Sequence, residues 1–203
     1  IRTRLGAIDV TIANAGVLGR SRTLRSTPDD AMDLVLDVNI RGVLNTVRAT
    51  MSDVMAKRGQ LVIISSVYAF LNGMGVVPYA MSKAAVEQLG RGLRVELASH
   101  GASVLTAYFA ILETGMTKHG LDEDPVAGDL LSTMPRFTRK RIKAETAAHA
   151  IASGIERRRV TVVRPRRWIP MSLLRGAVNP ALDASLSNNA DVLGVLRELD
   201  HRD

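Results

Sequence analysis

The chain has no cysteine, which excludes disulfide staples, thiolate nucleophiles and cysteine-ligated zinc, so any catalysis rests on other groups. No stretch approaches the roughly 18 uninterrupted apolar residues that a membrane span needs. The start, Ile1-Arg2-Thr3-Arg4-Leu5-Gly6, has no apolar run of the signal-peptide kind. Together these absences predict a cytoplasmic location. Aromatic residues are scarce: three Phe, three Tyr and one Trp among 203 residues, too few to stack bases along a nucleic acid. The balance of 27 basic against 20 acidic residues leaves a net charge of +7, but much of the excess lies in two late segments, Arg136 to Lys143 and Arg157 to Arg167. That distribution argues against a nucleic-acid partner, and no metal site is expected.

What is present is apolar: 46% of residues are hydrophobic, enough at this length for one domain with a sizeable core. Strand and helix patterns alternate along it. Asp9 to Ala13 reads as a short buried strand ended by the turn Asn14-Ala15-Gly16. A long helix follows, with Thr27 as N-cap, Pro28 at its first position and Asp29 and Asp30 facing its positive end. Its apolar residues recur at Leu36, Ile40, Val43, Val47, Met51 and Val54 and carry it to about Ala56. Leu61-Val62-Ile63-Ile64, before Ser65-Ser66, reads as a strand buried on both faces. A helix from about Pro78 to Ser99 presents Val86, Leu89, Leu93 and Leu97 to a core, and His100-Gly101 closes it. Ser103 to Phe109 is a strand, Glu113 to Lys143 an irregular stretch, Glu145 to Ile155 a helix and Val160 to Val163 a strand. The last forty residues give mixed helical signals. The pattern predicts an α/β fold with a parallel sheet and right-handed crossovers, in which ligands bind outside the carboxyl ends of the strands. Asn14-Ala15-Gly16, Ser65-Ser66 and Ile111 to Thr114 each follow a strand and so converge on one edge.

Tyr79 and Lys83, four apart at a helix start, share one face about a turn apart. A nearby ammonium stabilises a phenolate, and each unit by which a tyrosine pKa falls from about 10 corresponds to about 1.4 kcal/mol. Tyr79 is therefore a candidate general acid or base. Ser66 ends a buried strand thirteen residues earlier, where its hydroxyl either bonds a substrate oxygen or satisfies local backbone groups. Strand alternation puts Ser65 on the opposite face. Asn39 interrupts the apolar side of the long helix, where an amide needs partners; it either bonds neighbouring backbone or holds a water beside Lys83.

Taken jointly, a strand ending in Asn14-Ala15-Gly16, then Asn39, then Ile63-Ile64-Ser65-Ser66-Val67, then Pro78-Tyr79-Ala80-Met81-Ser82-Lys83 resembles the short-chain dehydrogenase/reductase family in order and spacing, from about Asp9 through Thr114. The resemblance implies a Rossmann-type doubly wound parallel sheet and a tetrad of Asn39, Ser66, Tyr79 and Lys83. It further implies proton exchange at Tyr79 with an alcohol or ketone oxygen held by Ser66, a hydride passing to or from NAD or NADP, Lys83 depressing the tyrosine pKa and bonding the nicotinamide ribose, and Asn39 positioning a water. Asn14, Ala15 and Gly16 would line the adenosine side of the cofactor. Thr114 would meet the nicotinamide carboxamide, and Ile111 and Leu112 the ring region through their backbone. By analogy with the family, the two long helices pair in a homodimer or homotetramer.

Two departures stand out. The family usually has Pro-Gly after the strand that ends at Phe109, where this chain has Ala110-Ile111. Only thirteen residues precede Asn14, so the first βαβ portion, with the glycine-rich turn that seats a pyrophosphate, is lacking. Neither Gly73-Met74-Gly75 nor Gly90-Arg91-Gly92 follows a strand and opens a helix. The expectation is a fragment of an active enzyme, with an inactive scaffold protein as the alternative, and weak NAD(H) or NADP(H) binding by these 203 residues. Residues 1-165 are read as the incomplete dinucleotide-binding and catalytic domain and 166-203 as a helical extension. Tyr68, Phe70, Leu71 and Met74 on one side, with Met116, Leu121, Val126, Leu130, Leu131, Met134 and Phe137 on the other, either line a lipophilic substrate site or pack a loop. Gly90 and Gly92 mark a close helix contact or tolerated defects. Residues 164 to 175 mix basic, aromatic and apolar groups, as a membrane-surface segment or a packed tail would.

Overall fold

Runs of β-branched residues supply four parallel strands in a computed structural model that describes residues 2–202; Ile1, at the head of the basic start, lies outside the described residues. After a short helix α1 (Arg2–Leu5) the sheet begins with β1 (Val10–Ala13), followed by β2 (Gln60–Ser66), β3 (Ser103–Phe109) and β6 (Thr161–Arg164), in the order β1-β2-β3-β6. A second, two-stranded parallel pair joins β4 (Leu112–Glu113) to β5 (Ile142–Lys143). The α/β fold and parallel sheet are as the sequence predicts. β1 and β6 are the edge strands; β1 is not buried as its sequence suggests, for Val10 and Ile12 are exposed on the side that no further layer of the sheet covers.

Period-two alternation sorts the sheet's side chains into two layers. Leu61 and Ile63 face α3 (Gly42–Ala56) and α4 (Val77–Glu96), packing with Val43, Val47, Val54, Val86 and Leu93. Val62 points the other way and joins Leu105, Ala107, Phe109 and Val162 beneath α8 (Ala144–Glu156). A third cluster of Val67, Phe70, Tyr108, Val163 and Trp168 closes the carboxyl ends of the central strands. Gly101 adopts φ +69 where the turn after α4 ends, a left-handed conformation that suits a residue without Cβ.

The long helix differs from its sequence reading at its start and middle. Pro28, not Thr27, is the residue before α2 (Asp29–Leu36), while the Thr27 hydroxyl donates to Thr23 O at 2.7 Å. It lies one residue too early to cap and serves the loop instead. Between α2 and α3 the backbone makes a π-helical turn at Asp37–Arg41 with Asn39 buried inside it, a kind of insertion frequent at functional sites.

The stretch from Glu113 to Lys143 is not irregular. It holds α5 (Gly115–Thr117), a π turn (Lys118–Asp122), α6 (Pro125–Ser132) and α7 (Arg136–Arg139). Thr114 caps α5, and Asp124 caps α6 by accepting from Ala127 N at 3.2 Å. These segments are too short to display a helical period. The tail forms α9 (Ile169–Ser187) and α10 (Ala190–Asp200), with Asn189 capping the latter. Val192 and Leu199 are buried. Arg175 grips Glu87 of α4 at 2.9 and 2.6 Å, and Arg202 grips Asp124 with both contacts at 2.7 Å. Bidentate pairs of this kind fix orientation as well as distance.

Candidate active site

β1, β2 and β3 end side by side, and the segments leaving them meet the first turns of α4. Pro78 near the start of α4 presets the backbone for a helix, which places Tyr79 and Lys83 on one face: the Lys83 ammonium lies 5.5 Å from the centre of the Tyr79 ring. Lys83 is buried, and Nζ donates to Ile64 O at 3.2 Å. One acceptor leaves the other two ammonium protons available.

Burial governs the protonation of both groups. It pushes the Tyr79 phenol up to about 12, with the Ser66 hydroxyl opposing part of the rise and Tyr68 adding to it. Burial pulls Lys83 down to about 8. The net shift of the tyrosine is therefore upward, not the depression expected from its spacing to the lysine; in this desolvated setting the cost of burying a phenolate outweighs the attraction of the ammonium. Near neutrality the pair is a protonated phenol beside a largely charged lysine. The Tyr68 ring meets that of Tyr79 edge-on, with centres 6.0 Å apart, a favourable aromatic geometry.

Ser66 and Ser65 diverge as alternation requires. Ser65 Oγ donates to Lys83 O at 2.9 Å, tying β2 to α4. Ser66 Oγ donates to Phe109 O and accepts from Tyr68 N, both at 3.2 Å. Its hydroxyl thus serves the backbone while standing beside Tyr79.

Asn39 is fully buried with both amide protons used: Oδ1 accepts from Val17 N at 2.8 Å, and Nδ2 donates to Val17 O and Ser82 Oγ, both at 2.9 Å. Ser82 in turn donates to Tyr79 O at 2.7 Å. Asn39 therefore clamps the loop after β1 and connects it to the helix bearing Tyr79. A Cβ built on Gly16 would lie 3.4 Å from Asn39 Oδ1 and 3.5 Å from Lys83 Nζ, so the backbone of Gly16 stands close to both side chains where loop, helix and lysine converge. Asn14 and Ala15 are exposed beside it.

The loop after β3 is less closely tied to this centre. Ile111 O accepts from Ile142 N, Leu112 O accepts from the Thr117 hydroxyl, and the exposed Thr114 caps α5. Ser82 and Val17 are the contributors that sequence reasoning missed. Ser82 sits three residues after Tyr79, at i+3 on the same helix face, and that spacing was the available signal.

Beside Tyr68 lies a cavity of about 490 Å³, overwhelmingly apolar. Tyr68, Leu71, Met74, Leu121, Leu130, Leu131, Met134 and Phe137 line it, whereas Phe70 packs in the core, its ring centre 5.8 Å from that of Tyr108, and Met116 and Val126 are not among its walls. The tail closes the opposite side through Met171, Leu174, Val178, Leu182 and Leu186 of α9, a helical stripe not recognised from sequence. Of the basic-aromatic segment, Trp168 is buried in the body while Leu173 is 76% exposed. Gly90 backs onto β3, where a Cβ would lie 2.4 Å from Thr106 Oγ1; Gly92 faces open space. Among the described residues no helix is long and apolar enough to cross a membrane, and no cluster of His, Asp or Glu could hold a metal.

Residues 1–124 match the family model described as short chain dehydrogenase. The chain is 33% identical over 136 residues to 2-(R)-hydroxypropyl-CoM dehydrogenase of Xanthobacter autotrophicus, covering 66% of this chain and 54% of that protein. It is 32% identical over 136 residues to the 3-oxoacyl-(acyl-carrier-protein) reductase FabG of Salmonella typhimurium, with the same coverage. The chain thus spans about half the length of these curated relatives. The crystal structure of a short chain dehydrogenase from Burkholderia cenocepacia in complex with NADP superposes with a TM-score of 0.74 at 22% identity, over 92% of this chain and 72% of that one.

Proposed function

Because this chain belongs to the short chain dehydrogenase family, we propose that it carries the catalytic half of an NAD(P)-dependent oxidoreductase acting on a lipophilic alcohol or ketone. The observation that carries the reading is Tyr79, with the Ser66 hydroxyl beside its phenol, the Lys83 ammonium 5.5 Å from its ring, and its ring against that of Tyr68, which lines an apolar cavity. When bound, the nicotinamide cofactor supplies or accepts the hydride.

The chain's own residues handle the proton. A phenol held neutral up to about pH 12 is poised to donate, so reduction of a ketone matches its resting state: Tyr79 gives its proton to the developing alkoxide while Ser66 orients that oxygen. The nearby lysine charge favours the phenolate left behind. Lys83, with two unassigned protons, and the side-chain-free backbone of Gly16 beside it fit a cofactor ribose. Asn14 and Ala15 would continue that contact, and Ile111, Leu112 and Thr114 would approach the nicotinamide. Asn39 acts by holding the Val17 loop against α4. The exposed Met81 and Val95 on α4 support pairing of α3 and α4 in a homodimer or homotetramer, and the cytoplasm is the proposed location.

The test is NADH- or NADPH-dependent reduction of a panel of lipophilic ketones by the protein expressed from its whole reading frame, with Tyr79→Phe beside it. Turnover should fall at least about 100-fold in the variant, as loss of a general acid implies, while its thermal midpoint is retained. Equal turnover would remove Tyr79 from the chemistry, and no turnover in either protein would favour a non-catalytic scaffold.

A further inference from the structure

Arg167 is the one charged side chain among the described residues that line the apolar cavity. It sits in the 3-10 turn Arg166–Trp168 that follows β6, beside the carboxyl ends of the strands. One of its donors, Nη2, serves Lys140 O; Nε is buried with no acceptor, and no carboxylate pairs with the guanidinium among the described residues. The next residue repeats the pattern: Trp168 also lines the cavity, and its buried indole N–H has no acceptor. Arginine and the indole can only donate. Two neighbouring donor groups on one wall thus lack an oxygen, whereas among the other lining residues Asn72 bonds Asp183 and Met74 N, and Thr138 bonds Pro135 O.

The contrast with other arginines is direct. Arg141, Arg175 and Arg202 each hold a carboxylate and have raised pKa values for that reason, while loss of hydration pulls Arg167 down. A buried donor left without an acceptor is costly. An apolar wall does not require one.

We propose that Arg167 recognises a monoanionic oxygen group, a carboxylate in its simplest form, at one end of a substrate whose hydrocarbon part fills the cavity. This rests on the reading of the cavity as the substrate site. A carboxylate would pair with the planar guanidinium through two parallel hydrogen bonds, with the indole N–H as a neighbouring donor. The chain would then be gripped by its charged end while the wall beside Tyr68 holds the apolar remainder. Such a site selects amphipathic hydroxy or oxo acids over neutral ketones of the same length.

Trp168 is the only tryptophan, so its fluorescence reports on the cavity without cofactor or turnover. Decanoate, 1-decanol and butyrate would be titrated into the 203-residue protein and into Arg167→Gln and Arg167→Lys. Decanoate should bind the wild type at least about 10-fold more tightly than decanol, as a charge-assisted hydrogen bond implies, and more tightly than butyrate. Arg167→Gln should lose that preference with decanol affinity unchanged, and Arg167→Lys should keep part of it. Decanol bound as tightly as decanoate by the wild type would overturn the proposal while leaving the lipophilic site standing. Failure of both ten-carbon probes would overturn the substrate-site reading too. The wild-type comparison needs no variant, so the proposal stays open to refutation even where a substitution misfolds.

Discussion

Lys83→Met isolates the electrostatics of the site without requiring turnover. In the folded chain Lys83 titrates near pH 8, against 10.5 for an unperturbed lysine, because burial removes the water that would solvate its charge. Between about pH 8 and 10.5 the unfolded chain therefore carries a proton on this lysine that the folded chain has released, and stability rises with pH across that window. At about 1.4 kcal/mol per unit the full shift amounts to about 3 kcal/mol. The stability of the wild type relative to Lys83→Met should thus increase by up to about 3 kcal/mol from about pH 7.5 to about pH 10.5. Tyr68, Tyr79 and Tyr108, whose pKa values burial raises, pull in the opposite direction above about pH 10, but they are common to both proteins. Urea unfolding followed by Trp168 fluorescence across this pH range supplies the measurement. A wild-type-to-variant difference that stays constant across the range would refute desolvation as the dominant influence on this lysine.

Asn39→Ala should destabilise by about 2–4 kcal/mol, since it strands the N–H and C=O of Val17 together. Calorimetry would register this as a fall of about 4–16 °C in Tm, and a loss below about 0.5 kcal/mol would contradict the clamp. Gly90→Ala should cost about 1–3 kcal/mol because its Cβ would meet Thr106 Oγ1 at 2.4 Å. Gly92→Ala, which faces open space, should stabilise by about 0.5–1 kcal/mol; thermal melts that moved the same way for both would dismiss the close approach of α4 to β3.

The longest periodic segments are legible in the sequence alone. Ser103–Phe109 is the strand its β-branched and apolar run announces, and Val86 and Leu93 occupy the core that their helical spacing requires. The meeting of Tyr79 and Lys83 follows from one helical turn, a local geometry, whereas Ser66 reaches them because β2 packs against α4. Segments too short for a period to develop are opaque. Thr114 and Asp124 cap helices of three and eight residues, and the second of these caps is held by Arg202 from the far end of the chain.

The sequence by itself determined the α/β order, the buried central strands, the family and the pairing of Tyr79 with Lys83, because those depend on residues within a turn or on repeating hydrophobicity; the first strand, read as buried, is half exposed at the sheet edge. Only the tertiary structure decided the rest. Protonation reversed the local expectation, since burial is contributed by elements scattered along the chain and outweighs a neighbour one turn away. The partners of Asn39 lie 22 and 43 residues distant, so spacing could flag the amide but not say what it holds. The cavity, with its solitary Arg167, exists because α9 folds back across the ends of the strands.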